Sequence, residues 1–139
     1  MSKLEIACFN LKSAIIAQEN GADRVELCAE MKEGGTTPDF EITKQARKEL
    51  TIDLNVMIRP RGGDFVYTNA EFEQMKAEIL AFKKLNVDGF VFGILDKDGN
   101  FDKEQNMELV ALANPIPCTF HRAFDVVNNV FQSLESVIE

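Results

Sequence analysis

Glu26, Arg59 and His121 are the residues of this chain best suited to do chemistry together. Each falls at or near the end of a short alternating run, on the parity opposite its apolar neighbours. Glu26 opposes Val25 and Leu27, Arg59 opposes Ile58, and His121 opposes Phe120. A carboxylate, a guanidinium and an imidazole brought to one place can supply a general base, an anion clamp and a proton shuttle. These three are the candidate catalytic residues. Glu5 shares their parity one run earlier and joins Arg61, Arg122 and Asp125 as a candidate substrate-binding group. The alternative is a buried polar cluster that satisfies itself by pairing. Several charges aimed into one interior are costly without a use, which favours a site.

Other motifs carry weaker signals. Arg59-Pro60-Arg61-Gly62-Gly63-Asp64 can wrap an anionic group with bidentate and backbone donors, or can be a tight turn with Arg61 and Asp64 solvated. Gly34-Gly35-Thr36-Thr37 leads into a helix start and can cradle a phosphate, but it lacks the lysine and spacing of a P-loop, so a plain cap is expected. Asp96-Lys97-Asp98-Gly99-Asn100-Phe101-Asp102 mimics a calcium loop. Its glycine is misplaced and Met107 stands where a glutamate is required, so it reads as a turn before a helix. No Ser-His-Asp or Cys-His nucleophile spacing and no dinucleotide fingerprint is present.

The soft metal ligands are three cysteines and the methionines. By parity Cys8 and Cys118 point with the apolar residues, where free cysteine acts as a small hydrophobe. Cys28 alone shares the side of Met57 and His121, which makes it the candidate ligand for a soft metal ion, the kind that prefers thiolate and thioether donors.

The elements that position these residues alternate along the chain. Strands are expected at Leu4–Cys8, Arg24–Leu27, Ile52–Ile58, Gly89–Phe92 and Ile116–His121, with helices at Leu11–Asn20, Asp39–Leu50, Asn69–Leu85, Lys103–Ala113 and Asn129–Glu139. Thr37-Pro38-Asp39 offers an N-cap followed by proline. Thr68-Asn69-Ala70-Glu71 reads as a capping box, after which Phe72, Met75, Ile79 and Phe82 fall on one face. The stretch Gly21–Leu27 repeats weakly as Asn86–Phe92, each passing from a helix stop through an aspartate into a strand. Such alternation implies βα crossovers and an α/β fold with a parallel sheet. Doubly wound sheets have continuously apolar strands. Here strands two, three and five have one polar face, as in a TIM-type barrel with a polar lumen near the strand ends.

The 139 residues form one domain at most. Five βα units at about 28 residues each fall short of the roughly eight that close a barrel. The pattern also stops inside an amphipathic helix bearing Val130, Leu134, Val137 and Ile138. The expectation is therefore an incomplete barrel, the N-terminal part of a longer protein. If the chain stands alone, a homo-oligomer through the fifth strand or final helix is expected, because an open sheet edge and apolar surface promote pairing.

The net charge of −8 argues against nucleic acid or an anionic membrane as partner, since both demand a basic face. The 45% hydrophobic and 27% charged fractions are those of a folded globular domain. No apolar run approaches the roughly 20 residues of a membrane helix. Three sparse cysteines with no CxxC spacing point to a reducing cytoplasm rather than a disulfide framework.

Five blocks resemble the signatures of the CutC copper-homeostasis family. They are Glu5–Cys8, Asn20–Cys28, Glu33–Pro38, Met57–Phe65 and Thr119–Asp125, in family order from the first strand to the fifth. The resemblance implies a TIM-type barrel, a cytoplasmic protein that often self-associates, and copper handling or copper binding. Two functions are therefore expected. One is copper homeostasis with copper ion binding. The other is an enzyme acting on a small anionic metabolite where Glu26, Arg59 and His121 meet.

Overall fold

The structure, a computed structural model, describes residues 2–138. Strands and helices alternate as β1 (Glu5–Cys8), α1 (Leu11–Glu19), β2 (Arg24–Leu27), α2 (Phe40–Glu49), β3 (Asp53–Met57), α3 (Asn69–Lys83), β4 (Gly89–Phe92), α4 (Lys103–Ala113), β5 (Cys118–Phe120) and α5 (Val130–Ile138). Short 3₁₀ turns follow β2 (Met31–Glu33) and β5 (Arg122–Val126). All strand pairs are parallel and the order is β1-β2-β3-β4-β5, each strand beside its successor as in the wall of a TIM-type barrel.

Local chemistry explains the element boundaries. The Asn10 side chain accepts from Ser13 N at 2.7 Å to open α1, and Asp102 does the same for Gln105 N at 2.9 Å to open α4. Thr68 and Glu71 form the reciprocal capping box expected for α3. At α2 the start differs from expectation. Asp39, not Thr37, is the cap, accepting from Glu41 N and Ile42 N at 3.0 and 3.2 Å. Thr37 is drawn away because its hydroxyl accepts from Arg59 N at 2.9 Å and contacts Glu78 at 3.1 Å. Strand β5 is also shorter than expected at both ends, and at its C-terminal end the His121 side chain turns to cap the 3₁₀ segment.

The weak repeat has a physical basis. Gly21 and Asn86 both take the left-handed conformation, at φ +93° and +59°, and stop α1 and the turn after α3. The aspartate two residues later then accepts from the backbone N–H that begins the preceding strand. Asp23 takes Leu4 N at 2.7 Å and Asp88 takes Leu54 N at 2.8 Å. Asp88 also holds Arg47 of α2 at 2.6 Å, pinning helix to sheet.

The strand register sorts side chains into two faces. Ile6, Val25 and Leu54 form one outward row, and Cys8, Leu27, Val56, Phe90 and Cys118 form the next. These rows belong to the main core with Ala14 and Ala17 of α1, Ala46 of α2, Met75 and Ile79 of α3, and Leu109 of α4. Cys8 and Cys118 therefore pack as small hydrophobes, as expected. No helix among the described residues is long and apolar enough to cross a membrane.

Candidate functional site

The opposite parity builds an inner face in four rows. Register places Glu5, Arg24 and Asp53 in the first, and Ala7, Glu26, Asn55 and Gly89 in the second. Cys28, Met57, Val91 and Thr119 follow in the third, where Cys28, Met57 and Val91 pack together with Phe9. Arg59, Gly93 and His121 come fourth, just beyond the C-terminal ends of β3, β4 and β5. A cavity of about 530 Å³ opens over the last three rows and is lined by Glu26, Cys28, Met57, Arg59, Phe65 and His121, among others. The three candidate catalytic residues thus meet in one pocket at the strand ends.

Arg59 is held more firmly than its neighbours. Only 6% of it is exposed, and its guanidinium donates to the carbonyls of Glu33 (2.7 Å), Gly35 (3.1 Å) and Gly63 (2.8 Å). It also lies 4.9 Å from the centre of the Phe65 ring, a cation–π contact. Its charge is thus fixed by the loops after β2 and β3 rather than by a carboxylate. Nε is buried and has no hydrogen-bond partner among the described residues.

His121 is the complementary group. Its Nδ1 accepts from Ala123 N at 3.1 Å, which places the proton of the neutral ring on Nε2. That Nε2 is buried and has no hydrogen-bond partner among the described residues. Burial, with the Arg59 charge second, pushes the imidazole down to about 4, so it is neutral at physiological pH. Phe65 packs 5.0 Å away, ring centre to ring centre.

Glu26 lies deeper and is half-buried. Burial, then the neighbouring Glu5 carboxylate, raises its pKa above the ordinary carboxylate value. The Cys28 thiol sits 3.7 Å from its Oε1. Cys28 itself is 3% exposed, and burial followed by Glu26 pushes its thiol strongly upward. Among the described residues no group of three His, Cys, Asp or Glu side chains is placed to hold a metal ion. Two soft donors, Cys28 and Met57, share one buried cluster.

The proposed substrate-binding residues divide. Arg122 and Asp125 line the mouth of the cavity and pair with each other at 3.3 Å. Glu5 sits on the inner face but away from the mouth, two rows below Cys28, where it is ion-paired with Arg24. Arg61 is outside the lining: it pairs with Glu71 at 2.6 Å and Asp64 at 3.0 Å and donates to Val66 O at 2.7 Å. The segment after β3 therefore closes on its own arginine. Two contributors were not singled out from sequence. Phe65 contacts both Arg59 and His121, and only its place at the end of the Arg59–Asp64 loop hinted at this. Gly93 leaves room for the imidazole, since a Cβ there would stand 2.7 Å from His121 Cε1. No spacing rule could have found it.

Comparison with known proteins gives one answer. The model of the CutC family matches residues 2–139. A family protein named CutC from Photorhabdus laumondii is 45% identical over 139 residues, all of this chain and 56% of its own length. The human copper homeostasis protein cutC homolog is 46% identical over 135 residues, covering 97% of this chain and 50% of that protein. The chain thus spans about half the length of these relatives. The crystal structure of CutC from Streptococcus agalactiae superposes with a TM-score of 0.91 at 34% identity, over 99% of this chain and 68% of that one. With its five parallel βα units, its inward polar rows and these relatives, the chain belongs to the CutC family.

Proposed function

We propose that this chain works in copper homeostasis, the role in the name of its human relative, through a small-anion site in the inner cavity. One observation carries the reading. Among the described residues Arg59 Nε and His121 Nε2 are both buried and without a hydrogen-bond partner, and both belong to side chains lining the same cavity. Buried donors without acceptors are rare in folded proteins and call for a partner. A carboxylate or phosphate oxygen is the acceptor that suits a fixed guanidinium beside a neutral N–H. In a reaction on such a ligand, Glu26 would take a proton and His121 would relay one, while Arg59 would hold the anion.

The test is a titration of the protein with inorganic phosphate and with simple carboxylates, following the ring signals of its single histidine by NMR. A saturable shift is expected. It should be accompanied by a rise in the His121 pKa, because a nearby anion favours the imidazolium. Arg59→Ala should weaken binding by about 2–5 kcal/mol, since it removes the clamp and leaves the bound anion unpaired. No saturable shift in the unmodified protein refutes the reading.

A second reading is direct Cu(I) binding, supported by the packing of Cys28 against Met57 in the row beneath His121. Stoichiometric Cu(I) uptake that vanishes in Cys28→Ser supports it, and uptake unchanged by that substitution removes it. Three free cysteines support a reducing compartment such as the cytoplasm. Self-association is supported by α5, where Val130, Phe131 and Leu134 are exposed, Phe131 at 83%. Sedimentation as a stable monomer would remove that expectation.

A further inference from the structure

The inner face changes sign along its length. Its first two rows carry the carboxylates of Glu5, Glu26 and Asp53 against the one guanidinium of Arg24. That guanidinium is bound to Glu5. Among the described residues no cation is ion-paired with Glu26. Glu26 has the Cys28 thiol at 3.7 Å, a weak donor, Glu5 as a like-charged neighbour, and the Arg24 charge only as a minor influence beyond ion-pair distance. The fourth row is the reverse. It carries the charge of Arg59, fixed by backbone carbonyls and ion-paired with no carboxylate among the described residues, and the Nε2–H of His121. Between the two ends the third row is largely apolar, with Cys28, Met57 and Val91 buried alongside Phe9.

A ligand bearing only negative charge satisfies one end of this cavity and is repelled by the other. Resting on the small-anion reading above, we propose that the cavity takes a zwitterion: a small amino-substituted carboxylate whose anionic end meets Arg59 and His121 and whose ammonium meets Glu26. Rows two and four are four residues apart along a strand, about 13 Å between Cα atoms at ~3.3 Å per residue. Both side chains line the same cavity as the apolar row, so the two charged ends of the ligand lie against rows four and two and its methylenes lie over the apolar row between them.

The experiment compares three matched series by calorimetry: unbranched amino acids with a terminal ammonium, from glycine to 6-aminohexanoate; the monocarboxylates of equal length; and the dicarboxylates of equal length. At one chain length the amino acid should bind about tenfold more tightly than its monocarboxylate, the effect of one charge-assisted hydrogen bond to a partly buried carboxylate. The dicarboxylate should be weaker still. In Glu26→Gln the preference for the ammonium should fall below about threefold while monocarboxylate binding is retained, because the neutral amide keeps the shape and loses the charge. Monocarboxylates or dicarboxylates binding as well as the amino acids would overturn the zwitterion while leaving the anion site standing. Binding of none of the three series would overturn both. The ligand ranking of the unmodified protein decides the matter even if the variant does not fold.

Discussion

Replacing Arg59 with methionine removes a charge whose three hydrogen bonds all run to backbone carbonyls, those of Glu33, Gly35 and Gly63. Each bond to a charged donor contributes about 1.5–3 kcal/mol, and each carbonyl left buried without a donor costs a similar amount. The three do not lose equally. Glu33 and Gly63 lie in exposed turns where their carbonyls can regain water, whereas Gly35 is buried and its carbonyl cannot. Methionine keeps an apolar stem of similar length but loses the cation–π contact with Phe65. The expected loss is about 3–5 kcal/mol, a large share of the ~5–15 kcal/mol that separates a folded domain from its unfolded chain. Urea denaturation followed by circular dichroism should show the midpoint falling with an unchanged slope, and the melting temperature dropping by about 10–20 °C. Arg59→Lys should recover part of this, because one ammonium can reach one or two of the carbonyls but not fork to all three. A loss under about 1 kcal/mol in the methionine variant would mean that the loops do not depend on this side chain. The guanidinium would then be free to move with a ligand, and its value as a rigid anion clamp would fall.

The imidazole of His121 should titrate by NMR at about 4. Its folded pKa lies below the unfolded value of ~6.5, so between these values the unfolded chain binds a proton that the folded chain does not. Stability therefore rises with pH across that window and is lost as pH falls through it. His121→Phe should flatten that part of the pH profile, and a native titration near the unfolded value would show that the ring is not desolvated. Cys8, 1% exposed in the main core, should cost of order 1 kcal/mol when changed to alanine, as a small core truncation, and half-buried Cys118 should cost less. Copper affinity should be the same in both variants. Copper uptake lost in Cys118→Ala with an intact circular dichroism spectrum would contradict the strand register.

Face assignment was legible from the residues alone, because strand side chains alternate with a period of two and that period is local. Reading Val25 and Leu27 against Glu26, or Ile58 against Arg59, needed no knowledge of what lay across the sheet. Helix starts at Asn69 and Lys103 were legible for the same reason, since a cap bonds within three residues of itself. Even the paired aspartates, Asp23 and Asp88, showed as a repeat before their partners, Leu4 N and Leu54 N, were known. Beyond that, distance along the chain set the limit. Glu5 and Glu26 share a parity, yet only the register of β1 on β2 decided that Arg24 would form its ion pair with Glu5 rather than with Glu26. Arg59 and Arg61 look alike in sequence. Only the fold closed carbonyls 24 and 26 residues away around the first, and turned the second outward to Glu71. Thr37 lost its cap role to Asp39 through a bond to Arg59 that spans 22 residues. Charge pairing and hydrogen bonding act through space over a few ångströms. They are decided by which segments the tertiary structure brings within that reach, whereas periodicity and capping are complete within a single turn or pleat.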